Sequence, residues 1–203
     1  IDELEHASAI VLPGSKNTIA DLQWLRDSGI DNMVIRKARE GIPVVGICGG
    51  YQMLGERLLD PGGEAGRSGE VEGLNLLPIV TEFSKEKRLT QVQAIWGAEN
   101  WNCYEIHMGD SRAICALNAL LKVKDGDGAR EEGSQDGNVW GTYLHGLFEN
   151  SCTRLALCEA AGISGYEVGV QDWWEHKQQT YSQMADLLEE HLDLEGVYRY
   201  VGM

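Results

Sequence analysis

The stretch GIPVVGICGGYQMLG at 41–55 restricts the fold more than any other part of the chain. Residues 43–47 are an apolar run cut off by Cys48-Gly49-Gly50, which reads as a short strand buried on both faces. A helical pattern with Tyr51, Leu54 and Leu58 on one face starts at once and is predicted over 50–59. A buried strand running straight into a helix is one unit of a parallel sheet covered by helices. The residues before it repeat the unit. Residues 9–12 form a buried strand stopped at Pro13-Gly14. Asn17 or Thr18 then caps a helix with the stripe Ile19, Leu22 and Leu25, closed by Gly29. A further short helix is predicted over 31–40, ending at Gly41.

Beyond residue 59 the rhythm changes. Residues 60–76 read as a Gly-rich loop, and 77–83, 88–96 and 102–108 as three closely spaced strands, which argues for antiparallel pairing at one side of the sheet. Residues 125–138 read as a polar loop, 139–145 as a strand, and 151–161 and 172–192 as helices. No repeat or low-complexity linker divides the 203 residues, so one domain over 1–203 is expected. The fold class is α/β, a mostly parallel central sheet flanked by helices with additional antiparallel strands. The chain begins IDELEH without an initiator Met, as expected of a piece of a longer protein.

A net charge of −15 argues against nucleic acid and anionic membrane as partners, since both need a basic surface. No apolar run approaches a membrane span and no signal-peptide pattern is present, so a cytoplasmic location is expected. Five cysteines, scattered and without a CxxC pair, fit free thiols better than disulfides or a metal site. Cys152 and Cys158 are expected to pack a helix face with Leu155.

Cys48 carries the chemistry. It sits where a buried strand turns into a helix, the edge at which parallel sheets bind ligands. Gly46-Ile47-Cys48-Gly49-Gly50 is a cysteine version of the strand–turn–helix nucleophile elbow. A helix start lowers a thiol pKa and offers unpaired N–H groups, and the Gly49 N–H is placed to hold an oxyanion. The plain alternative is a structural cysteine beside a tight turn. A thiol nucleophile needs a base, usually His. His6, His176 and His191 lie in polar surroundings. His145 ends a predicted strand at what reads as the same sheet edge as Cys48 and is the better partner. In CYEIHMG, Cys103, Glu105 and His107 share one strand face, a pattern that fits either substrate contact or a solvated face.

With these residues in view, the chain resembles the glutamine amidotransferase family of the cobyric acid type. The likeness rests on VLPGSKNTIADLQWLR at 11–26, GIPVVGICGGYQMLG at 41–55, GLNLLPIVTEF at 73–83, YEIHMG at 104–109 and VWGTYLHGLFEN at 139–150. It implies a flavodoxin-like class I glutamine amidotransferase fold. It also implies Cys48 as nucleophile and His145 as acid and base. Gly49 and the turn containing Gly14 and Ser15 supply oxyanion donors, and Gln52 helps to bind glutamine. Tyr104, Glu105 and His107 fall in the substrate-binding region without individual roles. No metal is implied in this chain. ATP and Mg²⁺ belong to an N-terminal ATP-binding domain of the same polypeptide, which also holds the corrinoid substrate, and no G-x-x-x-x-G-K-[ST] loop occurs here. The residue two after His145 is Leu147, where many class I members have the Glu of a triad. His145 is then oriented by another group or held less well, with Glu105 a candidate and Glu149 a weaker one, and feeble glutaminase activity is expected of this domain alone. Two rival readings stand beside this one: a stand-alone cysteine hydrolase of the γ-glutamyl hydrolase type, and a non-catalytic flavodoxin-like binding module with an inert Cys48.

Overall fold

The computed structural model describes residues 2–126, 128–165 and 173–202. In the first half the elements are α1 (Asp2–Glu5), β1 (Ile10–Leu12), α2 (Thr18–Asp27), α3 (Ile30–Arg39), β2 (Val44–Ile47), α4 (Gly49–Leu54), β3 (Arg57–Asp60), β4 (Gly69–Glu72) and β5 (Ile79–Trp96). Then follow β6 (Glu99–Ala113), β7 (Leu121–Asp125), β8 (Gly128–Glu132), β9 (Ser134–Asp136), β10 (Val139–Thr142) and β11 (Leu144–His145). A 3-10 turn (Leu147–Glu149) precedes α5 (Ser151–Ala160), and α6 (Trp173–His191) and α7 (Leu194–Val201) complete the chain.

The strands form two sheets. The first has the order β1-β2-β10-β9, with β1, β2 and β10 parallel and β9 antiparallel to β10. Val44 and Val45 are fully buried at its centre, as a strand covered on both faces requires. The second has the order β11-β6-β5-β3-β4, with β7 on β5 and β8 on β7, and is antiparallel apart from β3 beside β5. The α/β class, with parallel strands, antiparallel additions and flanking helices, is therefore present. One core joins Leu22, Val34, Leu54, Leu58, Leu77 and Ile79. A second joins Val45, Val123, Trp140, Leu144 and Leu147. Among the described residues no helix is long and apolar enough to cross a membrane.

Several elements differ from expectation. The helix predicted over 50–59 stops at Leu54, and Leu58 is buried on β3 instead. Gly55 is extended, and the chain then finds β4 on one side and β5 on the other, a pairing that outweighs the helical spacing of a short apolar run. The expected loop at 60–76 thus contains β4. The strands at 77–83 and 88–96 are one strand, β5, with an irregular register between Glu82 and Lys87. The polar stretch 125–138 holds β8 and β9; its sheet-edge strands are largely solvated, which is why their composition resembles a loop. Residue 127 and residue 172, the predicted start of the last helix, lie outside the described residues. The predicted strand 139–145 divides at Tyr143. β10 stays in the first sheet, while β11 crosses to pair with β6 in the second. Asn17 stands at the start of α2 without a side-chain cap; Ser15 Oγ accepts from the Asn17 N–H and donates to Asp21 at 2.5 Å. At α5 the Asn150 side chain does cap, accepting from the Cys152 N–H at 2.7 Å.

Candidate active site

Cys48 links β2 to α4 with φ 54° and ψ −110°, a left-handed backbone that a β-carbon strains against. The glycines around it are required by contact. A Cβ on Gly50 would lie 2.0 Å from the Leu12 carbonyl oxygen, and one on Gly46 would lie 2.7 Å from the Gly50 carbonyl. The Cys48 N–H donates to the Thr142 carbonyl at 2.8 Å, and the thiol reaches the Ile106 carbonyl at 3.3 Å. Burial pushes the Cys48 thiol up, and the Gly49 N–H opposes that only in part. The expected lowering by the helix start is thus outweighed: α4 is only six residues long and the sulfur is buried.

His145 reaches the same place from the other sheet rather than from the same sheet edge. Gly14 lies between the two residues. A Cβ there would sit 3.6 Å from the Cys48 Cβ, 3.1 Å from His145 Cε1 and 3.9 Å from His145 Nε2. Burial, then the neighbouring His107, lowers the His145 pKa. Its Nε2 is buried without a hydrogen-bond partner. Burial thus disfavours the charged form of both the Cys48 thiol and the His145 imidazole. Gly49 packs against the Gly14–Ser15 turn, since a Cβ on Gly49 would lie 2.7 Å from the Ser15 backbone nitrogen. This brings the amide of Ser15 beside the elbow.

A cavity of about 490 Å³ opens here, with Gly14, Ser15, Cys48, Gln52, His107 and His145 in its wall. Lys16, Thr18, Glu64, Phe83 and Lys87 line it as well. Lys16 was within reach of sequence reasoning, being part of PGSKNT. Glu64 and Lys87 were not, because loop and strand bring them from distant parts of the chain. Gln52 is almost fully buried and its amide is engaged. Its oxygen accepts from Thr18 Oγ1 at 3.0 Å, and its nitrogen donates to the Met108 carbonyl at 3.2 Å and to Tyr143 Oη at 3.4 Å. Tyr143 Oη in turn bonds Ser111 Oγ at 2.7 Å.

The three residues on β6 separate. The His107 Nδ1–H donates to the Gly109 carbonyl at 2.8 Å, its ring stacks on Tyr143 at 3.8 Å, and burial lowers its pKa. Glu105 is 1% exposed and faces a second cavity, paired with Arg130 at 2.5 Å and Arg88 at 3.0 Å. Its carboxylate therefore does not orient His145, contrary to expectation, because two guanidinium groups hold it on the opposite face of β6. Glu149 lies against Gly146 and near the Cys103 thiol. Tyr104 stacks on His145 with ring centres 4.9 Å apart and planes 7° apart. Glu132, which sequence reasoning missed, is buried beneath the site, accepting from Thr142 Oγ1 at 2.5 Å and the Tyr143 N–H at 2.7 Å. Among the described residues no group of three or more His, Cys, Asp or Glu is placed to hold a metal ion.

Comparison with known proteins adds the following. Residues 1–153 match the family described as the CobB/CobQ-like glutamine amidotransferase domain. A protein of Citrobacter koseri named cobyric acid synthase is 37% identical over 97% of this chain and 42% of its own length. One of the same name from Vibrio vulnificus is 40% identical over 95% of this chain and 40% of its own length. The chain thus spans about two fifths of the curated relatives it matches. A solved structure titled as a glutamine amidotransferase superposes with a TM-score of 0.57 at 20% identity, covering 79% of this chain and 82% of its own, a likeness of fold.

Proposed function

The chain belongs to the CobB/CobQ-like glutamine amidotransferase domain family, and from that membership we infer a glutaminase site with Cys48 as nucleophile and His145 as its acid and base. Cys48 passes its proton to His145, and the sulfur attacks the side-chain amide carbon of glutamine. The carbonyl oxygen takes negative charge, and the amides of Gly49 and of the Gly14–Ser15 turn are the donors suited to it. The C–N bond breaks as the imidazolium returns its proton to nitrogen, so ammonia leaves and a thioester remains. Water, deprotonated by His145, then attacks the thioester, releasing glutamate and restoring the thiol.

The observation that carries this reading is the strained backbone of Cys48 on the wall of a cavity shared with His145 and the Gly14–Ser15 turn. The charges in the wall support it: Lys16 and Lys87 suit the α-carboxylate of an amino acid, and Glu64 its ammonium. Gln52, with its amide engaged, contributes by bracing the wall. Because the named relatives are more than twice as long, the ammonia is assigned to an ATP-binding domain elsewhere in the same polypeptide. There, with ATP and Mg²⁺, it would amidate the b, d, e and g carboxylates of adenosylcobyrinic a,c-diamide, in the cytoplasm, as a step of cobalamin biosynthesis. The test is mass spectrometry after treatment with 6-diazo-5-oxo-norleucine. Single labelling at Cys48 is expected, blocked by free glutamine, slowed in His145→Ala and abolished in Cys48→Ala. Labelling spread over all thiols, or indifferent to glutamine, would sink the reading.

A further inference from the structure

A histidine that shuttles protons needs its ring held in one orientation, and a carboxylate on the far ring nitrogen is the usual means. Among the described residues no carboxylate is hydrogen-bonded to His145, and its Nε2 has no partner. Leu147, two residues on, is buried in the second core. Glu105 is bound by Arg88 and Arg130 across β6. The groups that do surround His145 are Cys48 at the start of α4, Tyr104 and His107 on β6 and, around the shared cavity, Lys16, Glu64 and Lys87.

What meets the ring is Tyr104. It is the register partner of His145 in the β6–β11 pair, so the two Cα positions are directly opposed. The rings lie parallel at 4.9 Å, while Gly14 closes against Cε1. β11 is only two residues long and is followed by Gly146 at φ 92°, so its own backbone gives the side chain little support. Tyr104 is also 44% exposed, and its role is therefore not explained by core packing. We propose that Tyr104 is the positioning residue of this site: the face of its ring holds the imidazole of His145 toward Cys48 in place of the absent carboxylate. This rests on the glutaminase reading above. A ring face, unlike a carboxylate, adds no anion to stabilise the imidazolium, which agrees with the lowered pKa of His145.

The test uses the full chain with Tyr104→Phe and Tyr104→Ala. In Tyr104→Ala, labelling of Cys48 by 6-diazo-5-oxo-norleucine is expected to slow by on the order of a hundredfold, as for a misplaced catalytic group. Half-protection by glutamine should change little. Tyr104→Phe keeps the ring face and is expected to stay within about threefold of wild type. By NMR, the His145 Cε1–H should show a ring-current shift in wild type and Tyr104→Phe that is lost in Tyr104→Ala. Its titration midpoint should rise in Tyr104→Ala as water reaches the ring. Equal labelling and an unmoved titration in Tyr104→Ala would overturn the proposal, as would a Tyr104→Phe as impaired as Tyr104→Ala. If wild type is not labelled at Cys48, the glutaminase reading fails, while the NMR measurement still decides whether Tyr104 holds the ring.

Discussion

Glu132 is a buried carboxylic acid whose ionisation is at odds with its surroundings. Burial raises its pKa to about 7, although Thr142 and Tyr143 donate to the carboxylate. A folded pKa above the unfolded one means that the folded state binds the proton more tightly. The resulting stabilisation is complete below the ordinary carboxylate range and is lost as pH rises through about 7. Its full size is roughly 3 kcal/mol. Glu132→Gln keeps an acceptor for the Tyr143 N–H and removes the titration. Thermal melts at pH 5 and pH 8 should show the variant gaining on wild type at the higher pH; a difference independent of pH would refute this. At the same scale, the turn at Cys48 was legible from an apolar run ended by Cys-Gly-Gly, whereas Gln52 and the Gly14–Ser15 turn came from the family resemblance; with His145 they line one cavity. The state of the thiol was not legible. It depends on how deeply Cys48 is covered, and that cover comes from β6, some sixty residues away.

Among the elements, the β2–α4 elbow is the least tolerant of change. Gly50 touches the β1 carbonyl of Leu12, and Gly141 on β10 lies under the Tyr51 ring, where a Cβ would come within 2.0 Å of the ring. Gly50→Ala must push α4 away from β1. The cost is about 3 kcal/mol, the upper range for an overpacked core. For a domain of this size that is a fall in Tm of roughly 6–12 °C. A scanning calorimetry trace within 2 °C of wild type would contradict the close approach. Sequence patterns located β1, α2, α3, β2 and α5 closely, since caps, closing glycines and unbroken apolar runs are local signals. They misjudged α4, β3 and the 125–138 region for one reason. Short strands are selected by their pairing partners, and the partners are not written into the segment itself.

Over the whole molecule, the two sheets and their cores account for the buried residues, whereas α6 and α7 contain no buried side chain among those described. Trp173, Tyr181, Met184, Leu187, Leu188 and Leu192 are all exposed. Ending the chain at residue 165 should therefore leave the melting temperature within about 2 °C of the full chain, the usual reach of surface changes. A larger fall would mean that the C-terminal helices support the core. The sequence by itself determined the α/β class and the sharp strand-to-helix turn at Cys48, because burial periodicity and glycine requirements act over a few neighbouring residues. Only the tertiary structure decided that the strand carrying His145 changes sheets at Tyr143 and that Glu105 is bound by arginines. It also decided that Tyr104, not a carboxylate, lies against the imidazole. Those outcomes depend on strand register between segments far apart in the chain, and a shift of one residue would have put Glu105 where Tyr104 now stands.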